Sequence, residues 1–277
     1  WVVRIIKWKF LLSSVLVPNV IENTLDDLKE GILKEDVYAA RFQNREDVLH
    51  YESVEYAPDS YASYIWSLQQ PKVAELFKKY VPATDARLLD FACGTGRVLS
   101  FVENLVAHSD GLDISPEMAE VAKQKCTKAN ITVGNILTEP DIVPGDYDVV
   151  TMFRFLLNTE QEMRYQVLRE VRKRLVHKKG VLIANIHGNT ISTRNAALAY
   201  RRLVHGESHS QLSRSQIFKM FEDTGYEVVE EYGFGLLPPL FYRTFLIGLA
   251  KSVDSWASKL PLMTPVSIDL LYVCRPV

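Results

Sequence analysis

The chain has 277 residues, of which 47% are hydrophobic, and its 32 basic side chains nearly balance its 34 acidic ones. This length suits one large domain or two small ones, and the apolar content is enough for a sizeable core. The balanced charge gives no general attraction to polyanions, so we expect no nucleic-acid partner. Cys93, Cys126 and Cys274 lie far apart without metal-ligand spacing, which is typical of reduced thiols in a cytoplasmic protein.

The N-terminal stretch WVVRIIKWKFLLSSVLVPNV is apolar but carries Arg4, Lys7 and Lys9. Its uninterrupted apolar part is much shorter than the roughly 20 residues that a membrane span requires. No small-residue cleavage pattern follows, which argues against a signal peptide. We expect a helix packed on the domain, with contact to a membrane surface as the second interpretation. The expected location is therefore cytoplasmic, either free or membrane-associated.

From residue 86 onward, short apolar runs alternate with helical patterns. Ser115 and Pro116 form a helix start signal, as N-cap and first helical residue. The alternation predicts an α/β fold with a parallel sheet covered by helices on both faces. Predicted strands cover 86–92, 109–115, 131–136, 147–155 and 180–189, and predicted helices cover 97–108, 116–130 and 160–176.

The two ends of the chain depart from this alternation. Residues 24–80 have mostly helical patterns, and a helix and a strand over 212–234 precede an apolar, aromatic segment. Because that segment stands between two strands, we expect these strands to pair as a long hairpin. We predict one domain with an N-terminal helical cap (1–80), a core (81–235), a helical insertion (236–265) and a final strand (266–277).

The stretch LLDFACGTGRVLSFV, residues 88–102, places an acid at a strand end, then a glycine turn, then a helix start. Gly94 and Gly96 allow a ligand to approach the backbone closely, and the following helix N-terminus faces that ligand. Asp113 follows Asp90 by 23 residues at the next strand end, where it could accept both hydroxyls of a ribose. These features predict a cofactor that contains a nucleoside.

The identity of that cofactor follows from charge and size. A nicotinamide dinucleotide requires a small third residue in the turn motif, where this chain has Leu99. The Asp90 carboxylate suits a bound ammonium group and repels a pyrophosphate. S-adenosylmethionine carries an ammonium and a sulfonium group and no phosphate, so it is favoured, and an NAD-dependent oxidoreductase is the alternative.

The sequence resembles the class I S-adenosylmethionine-dependent methyltransferases of the small-molecule type over about residues 75–235. The resemblance lies in LLDFACGTGR, GLDISPEMAEVAKQK, GNI and YDVVTMFRFLLN. It implies a Rossmann-like seven-stranded sheet, mostly parallel with an antiparallel last strand, which agrees with the predicted hairpin. One departure is Ala92, where the family usually has glycine.

The resemblance also implies roles for individual residues. Asp90 and the backbone of Ala92, Gly94 and Gly96 would line the methionine part, and Asp113 would hold the ribose. Arg154 would face either the substrate or the cofactor, and Tyr64 would lie on the acceptor side, although ordinary packing is an alternative for it. The other expected cofactor contacts are Ile114 and Met118 on the adenine ring, Asn135 and Ile136 at its amino edge, and Phe153 beside the methionine chain.

Two substrate classes are disfavoured. The fourth predicted strand is followed by FRFLL rather than the Asn/Asp-Pro-Pro-aromatic turn of enzymes that methylate nucleic-acid bases. Methyltransferases of the magnesium-dependent catechol type need carboxylates at the ends of the fourth and fifth strands. These ends carry no acid in this chain, so we expect no metal. We predict O-methylation of a small-molecule or glycan hydroxyl. His187, at the carboxyl end of the fifth strand, is the expected general base because a histidine is mostly neutral at pH 7. A histidine that only hydrogen-bonds the acceptor or fills the turn is the alternative.

Alternatives remain open for the reaction and for one surface. An N-methyltransferase of a small amine and a non-catalytic, methyltransferase-like partner subunit are the other interpretations. The apolar segment 236–262 would pack on the domain or form a homodimer contact, cap the acceptor pocket, or touch a membrane surface.

Overall fold

The computed structural model describes residues 45–81, 85–176, 179–195, 211–237, 241–242 and 247–277. The N-terminal segment for which we predict a packed helix or a membrane contact lies outside these residues, as does part of the apolar segment 236–262. None of the described helices is long and apolar enough to cross a bilayer.

A seven-stranded sheet forms the centre of the fold, with the order β3-β2-β1-β4-β5-β7-β6. The first five strands pair in parallel, and β7 is antiparallel to both β5 and β6. The predicted Rossmann-like sheet and the terminal hairpin are confirmed. The strands are β1 (Arg87–Phe91), β2 (His108–Asp113), β3 (Asn130–Val133), β4 (Val149–Phe153), β5 (Val181–His187), β6 (Tyr226–Phe234) and β7 (Asp269–Pro276).

Helices cover both faces of this sheet. A π-helical turn (Tyr51–Glu55) follows α1, and a 3₁₀ helix (Pro261–Val266) precedes β7. Ser115 caps α4 by accepting a hydrogen bond from the Met118 N–H, so the predicted helix start is confirmed. The α-helices are α1 (Arg45–His50), α2 (Tyr61–Tyr80), α3 (Leu99–Val102), α4 (Pro116–Lys125), α5 (Gln161–Arg174), α6 (Arg214–Asp223) and α7 (Ile247–Ala257).

The alternation of side chains along each strand divides the core into two layers. One layer joins Leu89 of β1 and its register partner Val150 of β4 to α5 and α6, through residues that include Val171 and Phe221. The other joins Leu88 and its counterparts to α2 and α3. A polar side chain at the carboxyl end of β1, β4 or β5 therefore faces either α2 or α5. Its position in the alternation along the strand determines which of the two helices it faces.

The helix predicted for residues 97–108 is wrong in length, because α3 spans only Leu99–Val102. The chain must return to the sheet at once, since the His108 N–H already donates to the Ala86 carbonyl. Glu103 turns inward at the helix end and is 2% exposed. Its carboxylate accepts hydrogen bonds from the N–H groups of residues 127, 128 and 129, which lie in the loop before β3.

The first prediction concerns this carboxylate. Burial alone would raise the pKa of Glu103, but the three backbone N–H bonds and the Thr127 hydroxyl together lower it. Glu103→Ala should reduce the free energy of unfolding by about 2–4 kcal/mol, because buried donors lose a charged acceptor. The difference in free energy of unfolding between the parent and the variant should be present at pH 7. It should diminish as the pH falls below about 4, where the carboxylate takes up a proton. Urea unfolding of both proteins measures the effect.

Glu120 is the matched control, since it is exposed and pairs only with Lys123 on the same helix. Glu120→Ala should change the free energy of unfolding by no more than about 0.5 kcal/mol. Equal effects of the two substitutions would contradict the structural role of Glu103.

Candidate active site

Two clefts open at the carboxyl ends of the strands. The first, which we call the loop cleft, has a volume of about 380 Å³ and lies between the turn after β1 and the segment 45–60. The second, the helix cleft, has a volume of about 260 Å³ and lies between α2 and the ends of β5 and β7. Arg97 and Arg154 line both clefts, so the two spaces meet at these guanidinium groups.

The turn after β1 keeps the floor of the loop cleft open. Ala92, Gly94 and Gly96 all have positive φ angles, of 54°, 54° and 76°. A Cβ atom on Gly94 would meet nothing within 4 Å, whereas one on Gly96 would stand 2.9 Å from the Cys126 sulfur. Gly96 therefore permits close packing on α4, and Gly94 leaves room for a ligand. Ala92 adopts the same left-handed conformation with a Cβ atom, at a cost of about 1–2 kcal/mol.

Asp90 places a carboxylate beneath this turn. The residue is 1% exposed, and its Oδ1 accepts a hydrogen bond of 2.6 Å from the Thr151 hydroxyl. Its Oδ2 is buried without a hydrogen-bond partner. Burial raises the pKa of Asp90 to about 7, against the lowering effects of the Thr151 bond and of Arg97. A buried carboxylate oxygen without a partner fits the ammonium group of the expected cofactor.

Asp113 fixes the edge of the loop cleft. Its Oδ2 accepts a 2.7 Å bond from the Gly94 N–H, and its Oδ1 accepts a 2.9 Å bond from the Ser115 N–H. Burial raises the pKa of Asp113, although these backbone bonds lower it. Each carboxylate oxygen has a further lone pair, so the pair can still accept from two adjacent hydroxyls. Ile114 stands beside it with 60% of its surface exposed, and so offers an apolar face.

The other expected adenine contacts have structural partners. Met118 is buried against Val48 of α1. Ile136 is 2% exposed and belongs to the layer of the core on the α5 side. The Asn135 Oδ1 accepts a hydrogen bond of 3.0 Å from the Leu137 N–H and so shapes the turn after β3.

The segment 45–60 covers the loop cleft through polar contacts. The Thr95 hydroxyl and the Lys125 ammonium group both bind the Glu52 carboxylate. Arg154 donates to the Tyr56 hydroxyl, and the Arg97 guanidinium lies 4.3 Å from the centre of the Tyr56 ring. These contacts connect the covering segment to the glycine turn and to the end of β4 at once.

Aromatic packing supports the wall between the clefts. Phe153, the last residue of β4, meets Trp66 of α2 edge to face, with ring centres 5.7 Å apart. Arg154 follows it with a φ of 57°, a left-handed conformation that is rare outside glycine. That conformation turns the chain sharply after the strand, and Arg154 lines both clefts.

The helix cleft contains a polar pair that joins β5 to β7. The Asn185 amide donates a 3.0 Å hydrogen bond to the Asp269 Oδ1. Asp269 is 7% exposed, and burial raises its pKa while Arg154 lowers it. His187 stands directly opposite Asp269 in the antiparallel pair, so the two side chains share one face of the sheet.

His187 is half-buried, and its Nδ1 has no hydrogen-bond partner. Burial, Arg154 and Arg194 lower the pKa of His187 well below its usual value, which keeps the ring neutral. Tyr64 does not line either cleft, because its hydroxyl donates to the Lys251 carbonyl on α7. From the same helix, Tyr61 is the tyrosine in the helix cleft.

The polar residues of the helix cleft that sequence reasoning missed are Tyr61, Gln69, Asn185 and Asp269. Asp269 is not at the carboxyl end of a parallel strand, where the cofactor-binding acids of such a fold are expected. An antiparallel strand brings its first residue, rather than its last, to the same edge of the sheet. The acid at the start of the final strand was the available signal. Among the described residues, no group of three or more His, Cys, Asp and Glu side chains could hold a metal ion.

The family model described as "Methyltransferase domain" matches residues 88–180, which span β1 to the start of β5. An uncharacterized protein from Methanocaldococcus jannaschii is 31% identical over 211 residues, which cover 67% of this chain and 80% of that protein.

Solved structures share the same fold. The magnesium protoporphyrin IX methyltransferase from Synechocystis, solved with bound SAH (S-adenosylhomocysteine), has a TM-score of 0.62 at 12% identity and covers 88% of this chain and 100% of its own. An S-adenosylmethionine-dependent methyltransferase from Clostridium acetobutylicum has a TM-score of 0.54 at 12% identity and covers 83% and 98%. With the matched domain, the sheet order and the glycine turn in agreement, this chain belongs to the class I S-adenosylmethionine-dependent methyltransferases.

Proposed function

We propose that this enzyme methylates a hydroxyl group of a small-molecule or glycan acceptor bound in the helix cleft. One observation carries the proposal: two proton acceptors, His187 and Asp269, stand opposite each other at the acceptor side. A hydroxyl must lose its proton to react, whereas a neutral amine reacts with less help. N-methylation of a small amine is the alternative.

The cofactor supplies an electrophilic methyl group, and the residues of the loop cleft would hold it. Asp90 would bind its ammonium group and Asp113 its ribose hydroxyls. The backbone from Ala92 to Gly96 would approach the methionine part. Phe153 would lie beside that part, while Ile114 would cover the adenine ring, with Met118, Asn135 and Ile136 further along the same edge.

The proposed division of labour places proton removal at the ends of β5 and β7, beside the helix cleft. His187 lines neither cleft and would accept the hydroxyl proton on Nδ1, a buried ring nitrogen that has no partner. Asp269, which lies opposite His187 and lines the helix cleft, would stabilise the imidazolium that results. In-line displacement also requires alignment and exclusion of water, and the covering segment with Tyr51 and Tyr56 would provide both.

The ribose role of Asp113 is tested by Asp113→Asn. The loss of a charged acceptor for two hydroxyls should weaken S-adenosylhomocysteine binding by at least about tenfold, since a hydrogen bond to a charged group contributes about 1.5–3 kcal/mol. Isothermal titration calorimetry measures the affinity. Asp110→Asn, three residues earlier on β2 and bonded to the Tyr147 hydroxyl, is the matched control and should bind as the parent does. An unchanged affinity in a folded Asp113→Asn protein would refute the assignment.

The role of Asp90 predicts a specific pH dependence. Without ligand, the pKa of Asp90 is about 7, well above the roughly 3.9 of an unfolded chain, so the folded protein holds this proton more tightly. Stability should therefore fall as the pH rises from about 4 to about 7. A bound ammonium group favours the carboxylate, so the affinity for S-adenosylhomocysteine should increase by up to about tenfold per pH unit over the same range.

Calorimetry at several pH values up to about 7 tests this dependence, because a free amino group loses its own proton above that range. Asp90→Asn should remove most of the slope and lower the affinity near pH 7. If the affinity for S-adenosylhomocysteine depends on pH equally in both proteins, a group other than Asp90 causes the dependence.

The reaction class is tested by the chemistry of the product. Radiolabelled methyl transfer to a panel of hydroxyl, amine and carboxyl compounds should give a product that is stable to base and uncharged at the methylated atom, as an ether is. His187→Gln should then lower kcat by about 100-fold or more while the cofactor affinity holds. The kcat/KM of the parent should fall at low pH, below the depressed pKa of His187.

His108→Gln, at the exposed start of β2, is the control and should retain activity. A labelled product that is a cationic amine would favour the alternative function. Full activity of His187→Gln would remove His187 as the base.

A further inference from the structure

The buried polar groups of α2 that face the helix cleft lack partners. The Tyr61 hydroxyl and the Gln69 Nε2 are both buried without a hydrogen bond. Gln69 is 2% exposed, so bulk solvent does not reach its amide group. A buried donor without a partner costs about 1–3 kcal/mol, and both donors line the same space. Such a pair is expected where a ligand supplies the acceptor atoms.

The packing around Tyr61 fixes the position of its hydroxyl. Its ring lies 4.9 Å from that of Tyr242, and a Cβ atom on Gly235 would clash with the hydroxyl oxygen. Glycine at position 235 is therefore the residue that leaves room for this group. Gln69 is two helical turns further along α2, on the same side of the helix.

The charge of the cleft is positive on the same side. Among the described residues, the Arg97 guanidinium has no hydrogen bond or ion pair, and it stacks on Tyr56 and Trp66 at 4.3 and 5.2 Å. Arg154 already contacts the Tyr56 hydroxyl and has the Glu55 carboxylate at 3.9 Å. Asp269, the acid of the cleft, is held by Asn185 on the far strands β5 and β7. Asp90 and Asp269 lie near enough for Arg97 to lower the pKa of both carboxyl groups, but neither carboxylate forms a hydrogen bond or an ion pair with the guanidinium. Arg97 therefore keeps hydrogen-bond donors available to a ligand in the cleft.

We propose that the acceptor is an acid, whose carboxylate or phosphate group accepts hydrogen bonds from Tyr61 and Gln69 and pairs with Arg97. This inference rests on the proposed function, since it describes the acceptor of the same site. The acid group lies on the α2 side, and the reacting hydroxyl lies toward His187 and Asp269. The substrate class is therefore a hydroxy acid or a hydroxyl compound that carries a phosphate.

Inorganic phosphate and acetate serve as probes, because they need no knowledge of the full acceptor. Thermal unfolding is followed against the concentration of each anion, with S-adenosylhomocysteine saturating and the ionic strength held constant with KCl. The bound product occupies any anion site that belongs to the cofactor, so a remaining effect reports the helix cleft. The unfolding midpoint of the parent should rise saturably with one or both anions.

Three variants locate the effect. Gln69→Leu and Tyr61→Phe should each weaken the apparent anion affinity by at least about fivefold, whereas Gln70→Leu, on the same helix but outside the cleft, should leave it unchanged. Gln69→Leu should fold at least as well as the parent, because the amide nitrogen it removes has no partner. The response to phosphate against acetate distinguishes the two kinds of acid.

Two outcomes would overturn the proposal: no saturable response to either anion in the parent, or equal affinities in all variants. Neither outcome depends on methyl transfer, so this inference can fail while hydroxyl methylation stands. A cationic product in the radiolabel assay would remove the proposed function and leave the anion result unaffected.

Discussion

A carboxylate buried near the carboxyl end of β1 governs the arrangement of this site. Asp90 is 1% exposed, and only one of its oxygens has a hydrogen-bond partner. A charge in that position is costly unless a cation joins it, and burial raises the pKa of Asp90 to about 7 in response. Below about pH 7 the ligand-free protein therefore holds a proton at the position that we propose for the ammonium group of the cofactor. The turn above it is open at Gly94, so the cation has a way in.

The register of the strands extends this constraint across the sheet. Asp90, Thr151, Asn185 and Asp269 lie on the same face, which α2 and α3 cover with apolar side chains further down. The opposite face packs on α5 and α6. A shift of one residue in any of these strands would exchange the polar end with the apolar layer. The same alternation that builds the core therefore collects the polar groups of both clefts at one edge.

The sequence was sufficient for the features that are local along the chain. Short apolar runs, the Ser115 and Pro116 start signal and the acids at Asp90 and Asp113 are each visible within a few residues, and the fold they imply is confirmed. The length of α3 was not predictable in this way. It ends because Glu103 binds backbone donors about 25 residues later, which is a tertiary contact.

Residues on the acceptor side were also not predictable from the local sequence, because contacts between distant parts of the chain place them there. Asp269 enters the site only because β7 runs antiparallel between β5 and β6, and Gln69 only because of how α2 lies on the sheet. A glutamine within a helical pattern gives no signal that its amide will be buried without a partner. Tyr64 and Tyr61 look equivalent in the sequence, yet one contacts α7 and the other faces the cleft.

The central claim is that two acids at neighbouring strand ends, the buried Asp90 and the half-buried Asp113, together define the cofactor position. A crystal structure with S-adenosylhomocysteine tests it most directly. We expect the ammonium nitrogen within hydrogen-bond distance of the Asp90 Oδ2, and both ribose hydroxyls on the Asp113 carboxylate. A ligand whose ribose lies away from Asp113, or an Asp90 Oδ2 that still has no partner in the complex, would contradict the account.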